Sequence, residues 1–273
     1  MRRARPLLGT YVEIDAAGLA GPALERAIEA AFGAVARVHR LMSFHDPESD
    51  LSRLNRRAVA EPVAVDRWTA KVLAKARTLF DETCGLFDCA VGAELMRCGR
   101  LPSHGLGNIA SGTFAAVEFM SDDRIRFSAP IAIDLGGIAK GFAVDRAIAA
   151  LRAHGVREAL VNAGGDLRVM GKTAQTIHIR CPGLDGRAIQ AGLLRNAAIA
   201  TSEAAATVVK QRVRSASSQC AHHAYSVVAS TCLLADALTK VLVQTEDPSA
   251  GYFSKFGAIA FVTSADALED RVA

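Results

Sequence analysis

Four residues near the middle of the chain have the types and spacing that anion chemistry needs: Asp134, Gly136, Gly137 and Lys140. An apolar run ends at the aspartate, which predicts a strand, and apolar residues then recur at helical spacing, which predicts a helix. Glycines let the backbone approach a ligand closely, and a helix N-terminus with a lysine in its first turn attracts anions. The pattern therefore predicts a phosphate-binding turn between a strand and a helix.

A second apolar run, residues 159–161, is also followed by polar and turn residues, Asn162, Gly164, Gly165 and Asp166. We expect the strands before Asp134 and Asp166 to be neighbours joined by a helical crossover, so that their polar ends meet. A carboxylate beside a phosphate-binding turn either accepts a hydrogen bond from a ligand hydroxyl or binds a divalent cation. The sequence leaves both roles open for Asp134.

The surrounding elements follow from apolar periodicity and from turn residues. The predicted elements are helices over residues 22–41, 66–83 and 142–154, a strand over residues 7–15, a hairpin over residues 114–133 and a loop over residues 93–110.

Composition excludes several classes of protein. With 273 residues, 51% hydrophobic and 22% charged, the chain is long enough for a large core and too apolar for disorder. A formal net charge of +4 without a basic-aromatic stripe argues against nucleic acid as a partner, and we expect no membrane insertion. The six cysteines form no CxxC pair, so a zinc site has no support.

The N-terminal sequence is informative about the cellular compartment of the protein. It begins Met-Arg-Arg-Ala-Arg-Pro, which has the positive charge of a signal peptide, but no apolar segment follows. The sequence therefore predicts a cytoplasmic protein and leaves an exported form open.

The central motif resembles a known signature. From Asp134 to Asp166 the chain contains DLGGIAKGFAVDRA followed by LVNAGGDLRVMG, which is similar to the signature of the Mg-dependent FAD:protein FMN transferases. The resemblance implies that FAD is split and that its FMN half is attached through phosphate to a Thr or Ser of an acceptor flavoprotein, with AMP released. The fold we expect is a single α/β (α+β) domain over residues 1–273, with antiparallel-rich sheets flanked by helices and two intertwined halves.

The resemblance also implies which residues contact FAD. The implied contacts are Leu8, His45, Leu86, Phe87, Asp88, Asp134, Lys140 and Thr201. His45 stands where the family has a tyrosine that touches the flavin nucleotide. An imidazole can stack on a ring, and a solvated loop histidine is the alternative.

The predicted metal site departs from the family pattern. There, an aspartate and a threonine four residues later hold Mg²⁺ together with backbone oxygen from the Gly-Gly-Ile-Ala turn, which implies Gly137, Asp236 and position 240. Lys240 occupies that last position, with Thr239 one step earlier, and a charged lysine cannot ligate Mg²⁺. We predict a Mg²⁺ site at these four residues, completed by water or by the FAD phosphates.

The catalytic base is sought near the hairpin where the family has its active-site histidine. Family members have a Ser-His-Ile-Ile-Asp-Pro-Arg-Thr-Gly hairpin with an active-site histidine, and residues 210–225 lack it. His222 and His223 are the candidate bases, and Lys140 would stabilise charge on the phosphate. An FAD pyrophosphatase and a non-catalytic flavin-binding protein stay open. A P-loop-like phosphotransferase that uses ATP also stays open on the Gly-Gly…Lys arrangement, although the absence of GxxxxGK[ST] argues against it.

Overall fold

The computed structural model describes residues 1–107, 109–180, 188–203 and 223–264. The chain forms two compact units, one of Met1–Val35 with Lys140–Ala273 and the other of Ala36–Ala139. Helices and antiparallel sheets occur together, which confirms the predicted mixed fold class. The assignment of residues 1–273 to a single domain stays a prediction.

Seven α-helices and twelve strands lie within the described residues. In chain order they are β1 (Arg2–Leu7), β2 (Thr10–Ala17), α1 (Gly21–Met42), α2 (Asp50–Arg57), β3 (Val63–Ala64), α3 (Arg67–Glu82), α4 (Gly92–Arg97), β4 (Val117–Phe119), β5 (Arg124–Phe127), α5 (Ala139–Ala153), β6 (Glu158–Ala163), β7 (Asp166–Met170), β8 (Gln175–Arg180), β9 (Ala188–Leu194), β10 (Ala198–Glu203), β11 (His223–Ala229), α6 (Cys232–Thr245), α7 (Gly251–Lys255) and β12 (Ile259–Ser264).

The first unit is built on a seven-stranded sheet in the order β1-β2-β6-β7-β10-β11-β12, in which every neighbouring pair is antiparallel. Helix α6 packs against β10 and β11. Eleven of its residues are buried, so α6 is an interior helix that stabilises the unit by removing apolar surface from water. A separate hairpin, β8 with β9, completes the described strands of this unit.

The prediction of one strand over residues 7–15 was wrong, because a hairpin turn divides the segment. Leu7 pairs with Thr10, and the two residues between them have φ of 58° and 72°. Two consecutive positive φ values define the tight turn that suits twisted antiparallel strands. Gly9 adopts this conformation without strain, whereas Leu8 is an uncommon residue there. Leu8, a predicted FAD contact, is therefore held in an unusual conformation.

The second unit combines helices with a small sheet, β3-β5-β4. Helices α2 and α3 begin at side-chain caps, since Ser49 accepts a hydrogen bond from the Ser52 N–H and Asp66 accepts one from the Trp68 N–H. The predicted loop over residues 93–110 was partly wrong, because α4 lies at its start. The predicted hairpin is confirmed by the antiparallel pairing of β4 with β5.

The strand predicted before Asp134 does not form, so the predicted crossover between neighbouring strands was also wrong. Residues 131–135 lie outside every sheet. Their backbone groups bond elsewhere: Asp134 donates to the Cys89 carbonyl at 2.8 Å, and Ala132 accepts from the Gly92 N–H at 2.9 Å. Buried backbone groups need partners of some kind, and this segment finds them outside a strand ladder.

Among the described residues, no helix combines the length and apolar character that crossing a membrane requires.

Candidate functional site

A cluster of opposite charges lies in the first unit and contains Lys140, Asp166, Asp236 and Lys240, called here the lysine–aspartate cluster. Lys140 lies in the first turn of α5, and Asp166 is the first residue of β7. Asp236 and Lys240 lie one turn apart on α6, the spacing at which helical side chains meet. The fold thus brings three segments distant in sequence to one group of charges.

Asp236 is the centre of this cluster and is completely buried. One carboxylate oxygen accepts the Gly141 N–H at 3.0 Å, and the other accepts the Lys240 ammonium at 3.0 Å. Burial alone would raise the pKa of Asp236, but Lys240, Lys140 and the Gly141 N–H together hold it below its usual value. Asp236 is therefore a buried carboxylate fixed in its charged form.

The close approach of α5 to α6 makes these contacts possible. A Cβ at Gly141 would lie 2.2 Å from the Cys232 carbonyl oxygen and 2.8 Å from the Leu233 nitrogen. Asp145, one turn further along α5, accepts the Cys232 and Leu233 N–H groups at 3.0 Å each and also pairs with Arg168. Asp145 thus satisfies free donors at the α6 N-terminus.

Lys140 and Asp166 form the second ion pair of the cluster, and Asp166 is almost fully buried. Burial would lower the pKa of Lys140, but Asp236 and Asp166 raise it above its usual value. Burial and the charge of Asp236 raise the pKa of Asp166 to about 6, against the opposing effects of Lys140 and Lys240. The two carboxylates are thus shifted in opposite directions, which is typical of functional sites.

The Lys240 ammonium is held by oxygens of several groups. It donates to the Ser202 and Thr239 hydroxyls at 2.9 Å each, and to the Asp236 carboxylate and carbonyl at 3.0 and 3.3 Å. The two hydroxyls also bond to each other at 2.8 Å. Thr201, the neighbouring residue on β10, bonds instead to the Ser226 hydroxyl at 2.9 Å.

The second unit contains the other group of predicted site residues. Burial raises the pKa of Asp134, although the Gly136 N–H and the nearby His45 partly offset the rise. His45 itself is exposed. Asp134 accepts the Gly136 N–H at 3.0 Å, so the glycine turn bonds to the predicted carboxylate.

The three consecutive residues predicted to contact FAD differ in exposure. Phe87 is only 3% exposed, and Leu86 and Asp88 are half-buried. The Asp88 carboxylate accepts the Ala90 and Phe114 N–H groups at 2.7 and 3.1 Å. These contacts give Asp88 a structural role in its own unit.

The predicted catalytic and metal residues are only partly grouped. Lys140, Asp236, Thr239 and Lys240 come together in the first unit. Gly137 lies in the turn before α5 and belongs to the second unit. His223 is the first residue of β11, with its ring against Tyr225. The hydrogen bonds described above for the cluster do not include His223, and His222 lies outside the described residues.

Sequence reasoning missed two groups that build the site. From sequence, Ser202 was a candidate for holding a flavin or phosphate oxygen, with a polar strand end as the alternative, whereas in the structure it bonds to the Lys240 ammonium. Asp145 lies inside the quoted motif, and its position one turn after Gly141 was the signal that it faces the same neighbour.

Asn55 orders the segment that leads to Asp134, and its replacement tests this role. Its side-chain amide donates to the Ile133 carbonyl and accepts the Ile133 N–H, both at 2.9 Å, and Asn55 is 4% exposed. We expect Asn55→Leu to lower the free energy of unfolding by about 2–4 kcal/mol, because two buried backbone groups lose their partners. Urea denaturation measures the change. Arg56→Leu, at an exposed neighbour on α2, is the control, and an equal loss in both variants would contradict the assigned role.

The fold and the cluster define a mixed α+β protein with a buried lysine–carboxylate site. The sequence model of the ApbE family matches residues 8–255. The chain therefore belongs to the ApbE family.

Relatives with assigned names support membership of the ApbE family. The chain is 34% identical over 178 residues to an FAD:protein FMN transferase of Rhodobacter capsulatus, an alignment covering 60% of this chain and 34% of the relative. It is 28% identical over 167 residues to one of Treponema pallidum, covering 53% of this chain and 44% of the relative. The chain thus spans less than half the length of these two relatives.

Two solved structures match the fold of this chain over nearly its whole length. The flavin transferase ApbE of Vibrio cholerae, an H257G mutant, has a TM-score of 0.78 at 21% identity, covering 99% of this chain and 98% of the other. The ApbE protein of Thermotoga maritima has a TM-score of 0.77 at 24% identity, covering 98% of each chain. At these identities the likeness establishes the fold.

Proposed function

We propose that the protein transfers the FMN half of FAD to a Thr or Ser hydroxyl of an acceptor protein and releases AMP. Membership of the ApbE family and the names of the relatives support this reaction. The observation that carries it within the chain is the lysine–aspartate cluster, in which two buried carboxylates hold two lysine ammonium groups.

Transfer of FMN from FAD requires the negative charge of the FAD pyrophosphate to be neutralised. The acceptor hydroxyl oxygen forms a bond to the FMN phosphorus, the bond from that phosphorus to the bridging oxygen breaks, and AMP leaves with the electron pair. Lys140 and Lys240 provide positive charge that is already in place before reaction, which is how preorganised sites stabilise developing charge. The proton of the attacking hydroxyl goes to a base, for which His222 and His223 remain the proposed groups.

The FAD contacts are part of the same proposal. Family resemblance supports Leu8, His45, Leu86, Phe87, Asp88, Asp134, Lys140 and Thr201 as these contacts. The exposure of His45 leaves its imidazole accessible to a ring. The low exposure of Phe87 favours a supporting role behind its neighbours.

The residues present do not fit the predicted Mg²⁺ site at Gly137, Asp236, Thr239 and Lys240. Mg²⁺ needs oxygen ligands at about 2.0–2.1 Å in octahedral geometry. The Asp236 and Thr239 oxygens already accept the Lys240 ammonium at 3.0 and 2.9 Å. No cluster of three or more His, Cys, Asp or Glu side chains suited to a metal occurs in the described part of the chain. No step of the proposed reaction is therefore assigned to a metal.

Three outcomes separate the proposal from its alternatives. The protein is incubated with FAD, with and without a library of peptides that contain Thr or Ser, and AMP is measured. We expect AMP release that depends on the peptides and matches FMN attachment to them. AMP release without peptides would indicate an FAD pyrophosphatase, and FAD binding without AMP would indicate a flavin-binding protein.

FAD affinity is expected to depend on pH through Asp166. Its pKa of about 6 means that it loses its negative charge as the pH falls from 8 to 5, which leaves the cluster one unit more positive. We expect the protein to bind FAD about tenfold more tightly at pH 5 than at pH 8, an effect of about 1.4 kcal/mol for one charge.

The control for this prediction is Asp166→Asn, which removes the charge and keeps an acceptor for Lys140. The variant should bind FAD at pH 8 as tightly as the wild type does at pH 5. Quenching of flavin fluorescence measures the FAD affinity of the variant and of the wild type. A pH response of equal size in the variant would show that another group causes it.

A further inference from the structure

The Lys240 ammonium lies among oxygens of the kind that usually bind a metal ion. Three different residues supply them: a carboxylate and a carbonyl from Asp236, and hydroxyls from Thr239 and Ser202, all between 2.9 and 3.3 Å from Nζ. Carboxylate, carbonyl and hydroxyl oxygens are the ligands of hard cations. An ammonium group has no acceptor capacity and can only donate to such oxygens.

Burial and charge hold the Lys240 ammonium among these oxygens. Its side chain is 21% exposed, and its partner Asp236 is 0% exposed. Moving the ammonium away would leave a buried carboxylate without its closest counter-charge, which is strongly unfavourable. A divalent ion would have to displace Lys240 from these oxygens and remain beside its charge.

The charges of the cluster also balance without a metal. Lys140 and Lys240 contribute two positive charges, and Asp166 and Asp236 contribute two negative charges. An uncharged residue at position 240 would leave one negative charge in excess, which a divalent cation converts to one positive charge. The lysine thus meets the electrostatic need that a metal would otherwise meet.

We infer that the side-chain ammonium of Lys240 takes the place of a divalent metal ion in this site. Lys240, together with Lys140, then supplies the positive charge for the pyrophosphate of the substrate. The role in substrate binding rests on the proposed function, whereas the exclusion of a metal from these oxygens does not.

Binding of Mn²⁺, followed by electron paramagnetic resonance, tests the inference without any need for activity. Mn²⁺ prefers the same oxygen ligands as Mg²⁺ and is directly observable. The variant Lys240→Thr removes the ammonium and adds a hydroxyl beside Asp236. We expect it to bind one Mn²⁺ per chain at least about 10²-fold more tightly than the wild type, because a unit charge adjacent to the ion is removed.

The control variant is Lys71→Thr, at an exposed lysine on α3, which makes the same change at a helical residue that is not part of the cluster. It should bind Mn²⁺ as weakly as the wild type. A second measurement uses the wild type alone and is informative even if Lys240→Thr folds poorly. Neither EDTA nor Mg²⁺ should change the melting temperature of the wild type. One Mn²⁺ bound to the wild type as tightly as to Lys240→Thr, or a wild-type melting temperature raised by Mg²⁺, would overturn the inference.

Activity separates this inference from the proposed function. We expect the wild type to transfer FMN in EDTA, and Lys240→Thr to require added Mg²⁺. Wild-type transfer that EDTA abolishes would overturn the inference and leave the proposed function standing. If no transfer occurs under any metal condition while the Mn²⁺ results hold, the proposed function fails and the exclusion of the metal stands.

Discussion

Replacement of Asp236 by Ala is expected to lower the free energy of unfolding by about 3–5 kcal/mol, the usual result of removing one partner of a buried ion pair. Asp236 is fully buried, and its carboxylate accepts hydrogen bonds from both Lys240 and the Gly141 N–H. Without it, the Lys240 ammonium loses its counter-charge and the Gly141 N–H loses its acceptor. Urea denaturation, with circular dichroism as the signal, measures the loss.

Two further variants isolate the charge pair. Asp81→Ala removes an aspartate whose side chain is 58% exposed and whose partner Arg77 is 3.8 Å away, so the change should be within about 0.5 kcal/mol. Combining Asp236→Ala with Lys240→Met should recover part of the loss, because the unpaired lysine is also removed. A loss for Asp236→Ala no larger than that for Asp81→Ala would show that the pair does not stabilise the fold.

Gly141→Ala is expected to destabilise the protein by about 3 kcal/mol, the upper part of the range usual for overpacked interiors. The added Cβ would lie 2.2 Å from the Cys232 carbonyl oxygen and 2.6 Å from its carbon, both of which are backbone atoms. Helices α5 and α6 would therefore have to separate. Because Lys140 and the Gly141 N–H both lie in the first turn of α5, we also expect loss of any FAD cleavage.

The control for this change is Gly33→Ala. Gly33 lies in α1, and a Cβ there would meet nothing within 4 Å. Alanine is the better helix former by about 1 kcal/mol, so this variant should be slightly more stable than the wild type. Thermal unfolding compares the two, and equal melting temperatures for the variants would contradict the close approach of the helices.

Local patterns in the sequence predicted helices α1, α3 and α5, but not α4. Helix α3 was expected over residues 66–83, and the structure has it at Arg67–Glu82 with Asp66 as its cap. Its apolar face repeats at helical spacing, and its cap is adjacent in sequence. Both signals are local, so a single sequence contains them.

The segment before Asp134 shows where local reasoning failed. Its apolar run predicted a strand, but Ile133 bonds to the side chain of Asn55, 78 residues away in sequence. A partner at that separation leaves no trace in periodicity. The same limit applies to the hairpin turn at Leu8, where a leucine in the left-handed conformation is not the residue that turn chemistry predicts.

The candidate site also contains one ion pair that sequence spacing predicts and one that it does not. Asp236 and Lys240 are four residues apart on one helix, so their proximity followed from spacing alone. The pairing of Lys140 with Asp166 depends on how α5 and β7 pack, and sequence spacing does not contain it. The sequence predicted Asp236 as a metal ligand, whereas its complete burial and two charged neighbours make it a structural residue.

The most direct test of the proposed reaction is the intact mass of an acceptor peptide after incubation with the protein and FAD in the presence of EDTA. Peptides with one Thr are compared with matched peptides in which Val replaces it. We predict that the Thr peptides gain the mass of one FMN attached through phosphate, with one AMP released for each, and that the Val peptides stay unmodified. Thr peptides that remain unmodified in every condition, with and without Mg²⁺, would contradict FMN transfer by this protein.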